Sequence, residues 1–128
     1  MPALDITPRV GPGRQLIERY GNGGFRVAGV RYQGSVLVFP ERTLLWPVRR
    51  AEDIDAQSLA DITAAAAEVQ ILMVGCGATF QAPPPDLSAA LRGSKIALEW
   101  MDTGAACRTF NVLLIEGRSI AAALIAVD

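Results

Sequence analysis

The sequence contains no histidine, and this absence excludes several chemistries. Serine and cysteine hydrolases of the usual kind need an imidazole that accepts a proton near neutral pH. Most zinc and non-haem iron sites need imidazole ligands, and two cysteines, Cys76 and Cys107, cannot close a four-thiolate site. We therefore expect no metal site, no cofactor and no catalytic residue of these types. Whether the chain is an enzyme stays open, with the balance against it.

Charge of one sign and long apolar runs are also missing. Twelve basic and thirteen acidic side chains leave a net charge of −1, so nothing favours binding to nucleic acid or to an anionic lipid surface. No run reaches the roughly 18 apolar residues of a membrane span, and the N-terminal stretch does not resemble a signal peptide. Two cysteines are too few for a secreted disulfide framework. We expect a cytoplasmic protein that does not insert into membranes.

What is present is enough for one packed domain. The chain has 128 residues, of which 51% are apolar and 20% charged. Prolines and glycines crowd residues 1–13, which predicts an irregular N-terminal arm. Residues 14–128 are predicted to form a single α/β domain.

The first half of this domain is predicted to consist of strands, within the segments "QLIERY", "GFRVAGVRY", "SVLVFP" and "TLLW". The apolar phase changes across Gly29, which indicates a bulge or a sharp bend. Gln33-Gly34 fits a two-residue hairpin loop. The run 36–39 has no polar alternate, which predicts a strand that is buried on both faces and central in its sheet.

The second half alternates helices and strands. A helix capped by Asp55 is predicted to run to Glu68, followed by the strand "QILMVG". A short helix follows at 86–92, with Leu87, Ala90 and Leu91 inward and Gly93 as its stop. After the strand "KIALEWM", a third helix is predicted from its cap at Thr103 to Glu116, and the strand "SIAAALIAV" closes the chain.

This order of elements predicts the fold class. Strand-helix-strand units favour parallel pairing with right-handed crossovers. We predict a three-layer α/β domain with a central mixed β-sheet, with about seven strands and three helices, antiparallel strands first and parallel units after them.

Four blocks carry a resemblance to a known family: "YGNGGFRVAGVRYQGSVLVFP", "LLW", "ILMVGCG" and "MDTGAACRTFNVLLIEGRSIAAAL". They resemble a family of small domains of unknown biochemical activity. It includes the mitochondrial complex I assembly factor 3, the adipogenesis-associated domain protein and many bacterial members. The likeness covers residues 16–127, and its most specific parts are the Gly-x-Gly at 75–77 and the pattern Thr103, Ala106, Phe110 and Asn111.

The resemblance implies a three-layer α/β fold with a mixed central sheet. It also implies a role in assembling or escorting membrane complexes, and it supplies no established catalytic residues. Phe110 stands where many members have tyrosine, so no role is carried over for that hydroxyl.

Two turns form the candidate pocket. Gly75-Cys76-Gly77 and Asp102-Thr103-Gly104 each follow a predicted parallel strand, where ligands of open α/β sheets bind. If the two strands are neighbours, both turns open on one crevice, which could hold a small anion or a partner's carboxylate. Alternatively, the glycines only permit tight turns and Thr103 only caps its helix.

Three residues of the third helix complete the candidate set. Cys107 lies near the helix start, where the helix dipole lowers a thiol's pKa, yet it also flanks the inward face and could simply pack in the core. Arg108 could grip a carboxylate or pair with Asp102 or Glu99. Asn111 could satisfy buried backbone groups of an adjacent loop.

Two functions follow from these observations. The first is a non-enzymatic assembly or adaptor domain that binds a protein client or a second copy of itself; the resemblance implies that it assists the biogenesis of membrane complexes. Val112 and Ile115 support self-association because they leave the third helix apolar on more than one side. The alternative is a small-anion-binding protein or a thiol-dependent enzyme that uses Cys107 and the two glycine-containing turns.

Overall fold

The computed structural model describes residues 11–128, so most of the predicted arm at 1–13 lies outside the described residues. The described chain forms eight strands and three α-helices. The strands are β1 (Ile17–Gly21), β2 (Gly24–Val27), β3 (Val30–Gln33), β4 (Val36–Val38), β5 (Thr43–Leu45), β6 (Ile71–Gly75), β7 (Ala97–Met101) and β8 (Ile120–Leu124). The helices are α1 (Ala60–Ala64), α2 (Leu87–Gly93) and α3 (Thr103–Ile115), with short 3-10 turns at Ala51–Asp53 and Ala66–Glu68.

The strands form two sheets. An antiparallel sheet has the order β1-β2-β3, and a five-stranded mixed sheet has the order β5-β4-β8-β6-β7. Strand β6 pairs in parallel with both β7 and β8, whereas β4 pairs antiparallel with β5 and β8. The predicted α/β class with a central mixed sheet is therefore confirmed.

Apolar packing covers both faces of the five-stranded sheet. Because side chains alternate along β8, Ile120, Ala122 and Leu124 face α3 and the antiparallel sheet, which contributes Phe25 and Val27. Ala121 and Ala123 face the opposite side, where α1 and α2 supply their buried residues: Leu59, Ile62, Leu87 and Leu91. The domain thus has three layers around one sheet.

Three local predictions in the strand-rich half need correction. Ala28 and Gly29 both have positive φ (49° and 81°) and form the two-residue turn between β2 and β3, so the bend at Gly29 separates two strands. Gln33-Gly34 does not close a hairpin, because the chain leaves one sheet there and enters the other at β4. Residues 36–39 are buried on both faces as predicted, but β8 occupies the centre of the sheet.

The predicted helix from Asp55 to Glu68 is much shorter in the structure. The Asp55 carboxylate accepts a hydrogen bond from the Ser58 N–H (2.7 Å), but regular α-helix covers only Ala60–Ala64. Leu59 and Ile62 are its main apolar anchors, and most helix stability comes from such packing. The alanines that follow bring propensity without a large side chain to bury.

The helix α2 lies where the sequence places it, with Leu87 and Leu91 buried. Ala90, predicted to face inward, is exposed. Gly93 is the last helical residue, and Lys95 adopts the left-handed conformation (φ 62°) beyond it. None of the described helices is both long enough and apolar enough to cross a membrane.

Candidate functional site

The two glycine-containing turns meet at one end of the five-stranded sheet. Strands β6 and β7 are parallel neighbours, with Gly75 opposite Met101, so their carboxyl ends lie side by side. The Cys76 N–H donates to the Met101 carbonyl (2.8 Å), and the Thr103 N–H donates to the Gly77 carbonyl (2.9 Å). The backbones of the two turns are therefore joined directly.

Thr103 fills the space between these turns. Its side chain is fully buried, and its hydroxyl accepts a hydrogen bond from the Gly77 N–H (3.1 Å) while donating to the Ile125 carbonyl (2.8 Å). A Cβ atom on Gly75 would lie 2.8 Å from the Cα of Thr103, so only glycine permits this approach. The junction is a packed contact between β6, α3 and the end of β8.

Asp102, rather than Thr103, caps α3. The Asp102 carboxylate accepts from the Ala105 N–H (2.9 Å), and Asp102 has the extended backbone of a capping residue. Thr103 is the first helical residue. Its hydroxyl does not cap the helix, because it is hydrogen-bonded to buried backbone groups of Gly77 and Ile125. The prediction that Thr103 caps this helix is wrong for that reason.

Cys107 is a buried thiol. Burial raises its pKa from 9.0 to about 12; the nearby Arg108 lowers this pKa and Asp102 raises it, but burial dominates. The side chain packs with Phe110 and Leu114 in the core beneath α3. Burial thus outweighs the lowering expected at a helix start, and the thiol stays protonated at neutral pH.

Cys76 and Cys107 are both free, and they lie on opposite sides of the five-stranded sheet. The Cys76 sulfur accepts from the Gln81 N–H (3.4 Å) and helps to fix the loop after β6. Within residues 11–128, no group of three or more potential ligands among cysteine, aspartate and glutamate is placed to hold a metal ion.

Gly104 lies beneath the Tyr20 side chain of β1, and the Arg108 guanidinium lies near the same glycine. A Cβ on Gly104 would be 2.6 Å from the Tyr20 hydroxyl oxygen and 3.3 Å from the Arg108 guanidinium. Arg108 is exposed, and in the described part of the chain it forms no ion pair with Asp102 or Glu99. It lies outside the buried junction formed by the two turns.

Asn111 fastens β1 to α3. Its side-chain oxygen accepts from the Ile17 N–H (2.9 Å), and its side-chain nitrogen donates to the Ile17 carbonyl (2.8 Å). The partner is a strand rather than a loop. Because both backbone groups belong to the edge strand β1, this amide completes the pairing that a further strand would otherwise supply.

A cavity also lies elsewhere, beside β5. It has a volume of about 690 Å³, and its lining includes Gln33, Leu45, Trp46 and Arg49. A second cavity of about 300 Å³ is lined in part by Cys76 and Gly77, and it shares Arg49 and Asp128 with the first. The two depressions are therefore neighbours around residues 126–128.

Within residues 11–128, one edge of strand β5 has no partner strand. In this described part of the chain β5 pairs with β4 alone, in the register Val36–Leu45, Leu37–Leu44 and Val38–Thr43, and the flanking bonds are Trp46 N–H to Ser35 O and Phe39 N–H to Arg42 O. Antiparallel alternation then directs the N–H and C=O groups of Thr43 and Leu45 away from β4. Leu45 is 65% exposed. The sequence analysis missed this surface, although a short strand that ends just before Pro47 is typical of an edge.

Comparisons with known proteins place this architecture in a family. A relative from Xenopus tropicalis, named NADH dehydrogenase [ubiquinone] 1 alpha subcomplex assembly factor 3, is 37% identical over 110 residues, which is 86% of this chain and 60% of the relative. A Rhodobacter capsulatus protein described as uncharacterized is 36% identical over 109 residues, 85% of this chain and 82% of its own. The chain thus spans about 60% of the length of the first of these curated relatives.

A solved structure has the same fold. The crystal structure described as an outer membrane protein from Bartonella henselae matches with a TM-score of 0.84 and 35% identity, over 91% of this chain and 98% of that one. The family model described as a protein of unknown function (DUF498/DUF598) matches residues 17–125. The chain belongs to the DUF498/DUF598 family.

Proposed function

We propose that the chain is a non-enzymatic assembly domain that holds an extended segment of a client polypeptide against the open edge of β5. The name of the Xenopus relative, an assembly factor, supports the assembly role. The single structural observation that carries the proposal is the exposed edge of β5 beside the 690 Å³ cavity.

The geometry suits an extended peptide. An edge strand recognises another strand through its outward N–H and C=O groups, and pockets beside it accept alternate side chains. The outward groups belong to Thr43 and Leu45, and Leu45 also lines the cavity. A bound strand would bury the side chain of Leu45, which is otherwise among the most exposed large apolar residues.

Charge complementarity does not determine which client binds in this proposal. Arg49 and Asp128 both line the larger cavity and have opposite signs. Arg50, by contrast, pairs with Glu52 (3.2 Å) and Asp53 (3.4 Å). Recognition therefore relies on the main chain and on apolar contact, which suits a protein that handles incompletely assembled subunits.

The candidate pocket takes two roles in this proposal. Cys76 and Gly77 extend the binding groove, because they line the smaller cavity next to the larger one. The other members act as scaffold: Gly75, Asp102, Thr103, Gly104, Cys107, Arg108 and Asn111 fix the junction and α3.

The alternative, a small-anion-binding or thiol-dependent protein, has less support. The N–H groups of Cys76, Gly77 and Thr103 already donate within the protein, so an anion would compete with them. The raised pKa of Cys107 leaves little thiolate at neutral pH.

For location we propose the cytoplasm, supported by two free, buried cysteines. The Bartonella structure is described as an outer membrane protein, which makes fractionation the direct check. Recovery of the native protein in the soluble cytoplasmic fraction supports this placement, and recovery in the outer membrane contradicts it.

A deletion strain tests the assembly role. We expect loss of the gene to lower the amount of at least one multi-subunit membrane complex, with the respiratory NADH dehydrogenase examined first, as measured on native gels. The wild-type gene restores the complex, whereas Leu45→Pro does not, because proline removes the outward N–H without touching the bonds to β4. Leu45→Ile is the matched control, since it keeps both the N–H and an apolar side chain.

Circular dichroism verifies that each variant is folded. Wild-type levels of every complex in the deletion strain would contradict the assembly role. Full restoration by folded Leu45→Pro would instead contradict the proposed edge while leaving the assembly role standing.

A further inference from the structure

The outward face of α3 is a feature of the fold that the proposed function does not use. This face is defined by Arg108, Val112, Ile115 and Glu116. At 100° per residue, Arg108, Val112 and Ile115 fall opposite the buried stripe formed by Ala106, Phe110 and Leu114. They therefore point directly away from the sheet.

The residue types on this face are unusual for a solvated helix surface. Val112 is 57% exposed and Ile115 is 42% exposed. β-Branched residues lower helix propensity, so an exposed position in the middle of a helix gains nothing from them without a packing partner. Tyr20, also exposed, borders the same face, because its hydroxyl lies over Gly104.

The charges on this face are arranged symmetrically about Val112. Arg108 precedes it by one helical step of four residues, and Glu116 follows it by four. If two copies of α3 pack antiparallel with a two-fold axis at Val112, Arg108 of each copy lies opposite Glu116 of the other. Two ion pairs then flank a central contact of valine and isoleucine side chains.

The helix dipole adds a second argument for the same arrangement. Glu116 lies at the carboxyl end of α3, where a negative charge is disfavoured, and no basic residue occupies the last turn. Antiparallel packing brings this carboxylate beside Arg108 of the other helix, which supplies the basic group that the last turn lacks. Within the described residues, neither Arg108 nor Glu116 is engaged in an ion pair.

We propose that the outward face of α3 binds a second copy of this chain in an antiparallel, two-fold arrangement centred on Val112. A contact of one helix per subunit lies at the low end of specific interfaces, below about 1,200 Å². We therefore expect a dissociation constant in the micromolar range, which rises as salt screens the ion pairs. This dimer does not rest on the proposed function, because β5 lies at an edge of the five-stranded sheet, whereas the outward face of α3 points away from that sheet.

Charge reversal gives the first test. Sedimentation equilibrium of the full chain should show a monomer–dimer equilibrium, and Arg108→Glu or Glu116→Arg should each weaken it about tenfold by facing like charges. The double variant Arg108→Glu/Glu116→Arg restores opposite charges and should return the dissociation constant to within about threefold of wild type. The proposal is overturned if a single reversal leaves the dissociation constant unchanged, or if the double variant dimerises no more tightly than the single variants.

A disulfide gives the second test. A residue next to a two-fold axis contacts its own copy, so Val112→Cys should form a disulfide-linked dimer under mild oxidation. Val30→Cys is the matched control, because Val30 is similarly exposed (51%) but lies on β3. Equal cross-linking of both variants overturns the proposal. A wild-type chain that stays monomeric at high micromolar concentration also overturns it and leaves this face to a different segment or protein.

Discussion

The Thr103 hydroxyl accepts a hydrogen bond from the Gly77 N–H at 3.1 Å and so joins the turn after β6 to the start of α3. The same hydroxyl donates to Ile125, just beyond β8. One buried oxygen thus fixes three segments at the end of the central sheet.

Thr103→Val should destabilise the protein by about 2–4 kcal/mol. Valine keeps the shape of the side chain but leaves the Gly77 N–H and the Ile125 carbonyl buried without a partner. Thr103→Ser keeps the hydroxyl and should lose about 1 kcal/mol, from the missing methyl group. Urea denaturation measures both, and equal losses would show that the hydrogen bonds contribute little.

Gly75→Ala should cost about 1–3 kcal/mol, because the new methyl group meets the Thr103 backbone at 2.8 Å and Leu124 at 3.1 Å. Gly93→Ala is the control, since this helical glycine has ordinary φ and nothing within 4 Å. The control should leave stability unchanged or raise it by about 0.5–1 kcal/mol. Thermal melting of both variants decides the point. A Gly75→Ala protein as stable as Gly93→Ala would mean that β6 and α3 can move apart freely.

The raised pKa of Cys107 predicts a dependence of stability on alkaline pH. Above pH 9 the unfolded chain ionises this thiol, whereas the folded chain holds it protonated until about pH 12. The stability from this group is therefore complete below pH 9 and falls by up to about 1.4 kcal/mol per pH unit above it. Cys107→Ala lacks this component, so the difference in unfolding free energy between wild type and variant should shrink between pH 9 and 12.

Thiol labelling checks the same residue independently. In a Cys76→Ala background, Cys107 should react with a thiol reagent at pH 7 only when urea unfolds the chain, because the side chain is 3% exposed. Rapid labelling of the native protein below pH 7 would favour the thiol-dependent alternative.

Asn111→Asp should destabilise the protein by about 2–3 kcal/mol at pH 7. The carboxylate can still accept from the Ile17 N–H, but it sets an anion against the Ile17 carbonyl. Protonation restores a donor. Because the buried anion raises the pKa of the new carboxyl in the folded state, the difference in unfolding free energy from wild type should narrow as the pH falls toward about 4 and change little below it. Asn111→Ala has no such group. If the stability difference between Asn111→Ala and wild type narrows over the same pH range, the proposed role of the Asn111 amide in joining β1 to α3 is wrong.

The layer architecture was predictable because it depends on local patterns. Continuous apolar strands such as Ile71–Gly75 and Ile120–Leu124, separated by capped helices, favour parallel pairing wherever they occur. The family resemblance implied the same fold, and the Bartonella structure matches it with a TM-score of 0.84.

The errors arose where two structures satisfy the same local chemistry. Gly34 has the positive φ (97°) that a hairpin requires, yet β4 pairs with β5 and β8 and not with β3. Threonine is a good capping residue, but the Thr103 hydroxyl is buried and donates to the Ile125 carbonyl. The Asp102 carboxylate caps the helix instead. The open edge of β5 follows from strand order, and periodicity does not encode strand order.

The central claim is that this domain acts by holding another polypeptide at the edge of β5. The most direct measurement places a photo-cross-linking amino acid at position 45 in living cells, with the same amino acid at the similarly exposed Val30 as control. We predict an adduct with a different polypeptide at position 45, absent at position 30. No adduct at position 45, or the same adducts at both positions, would contradict it.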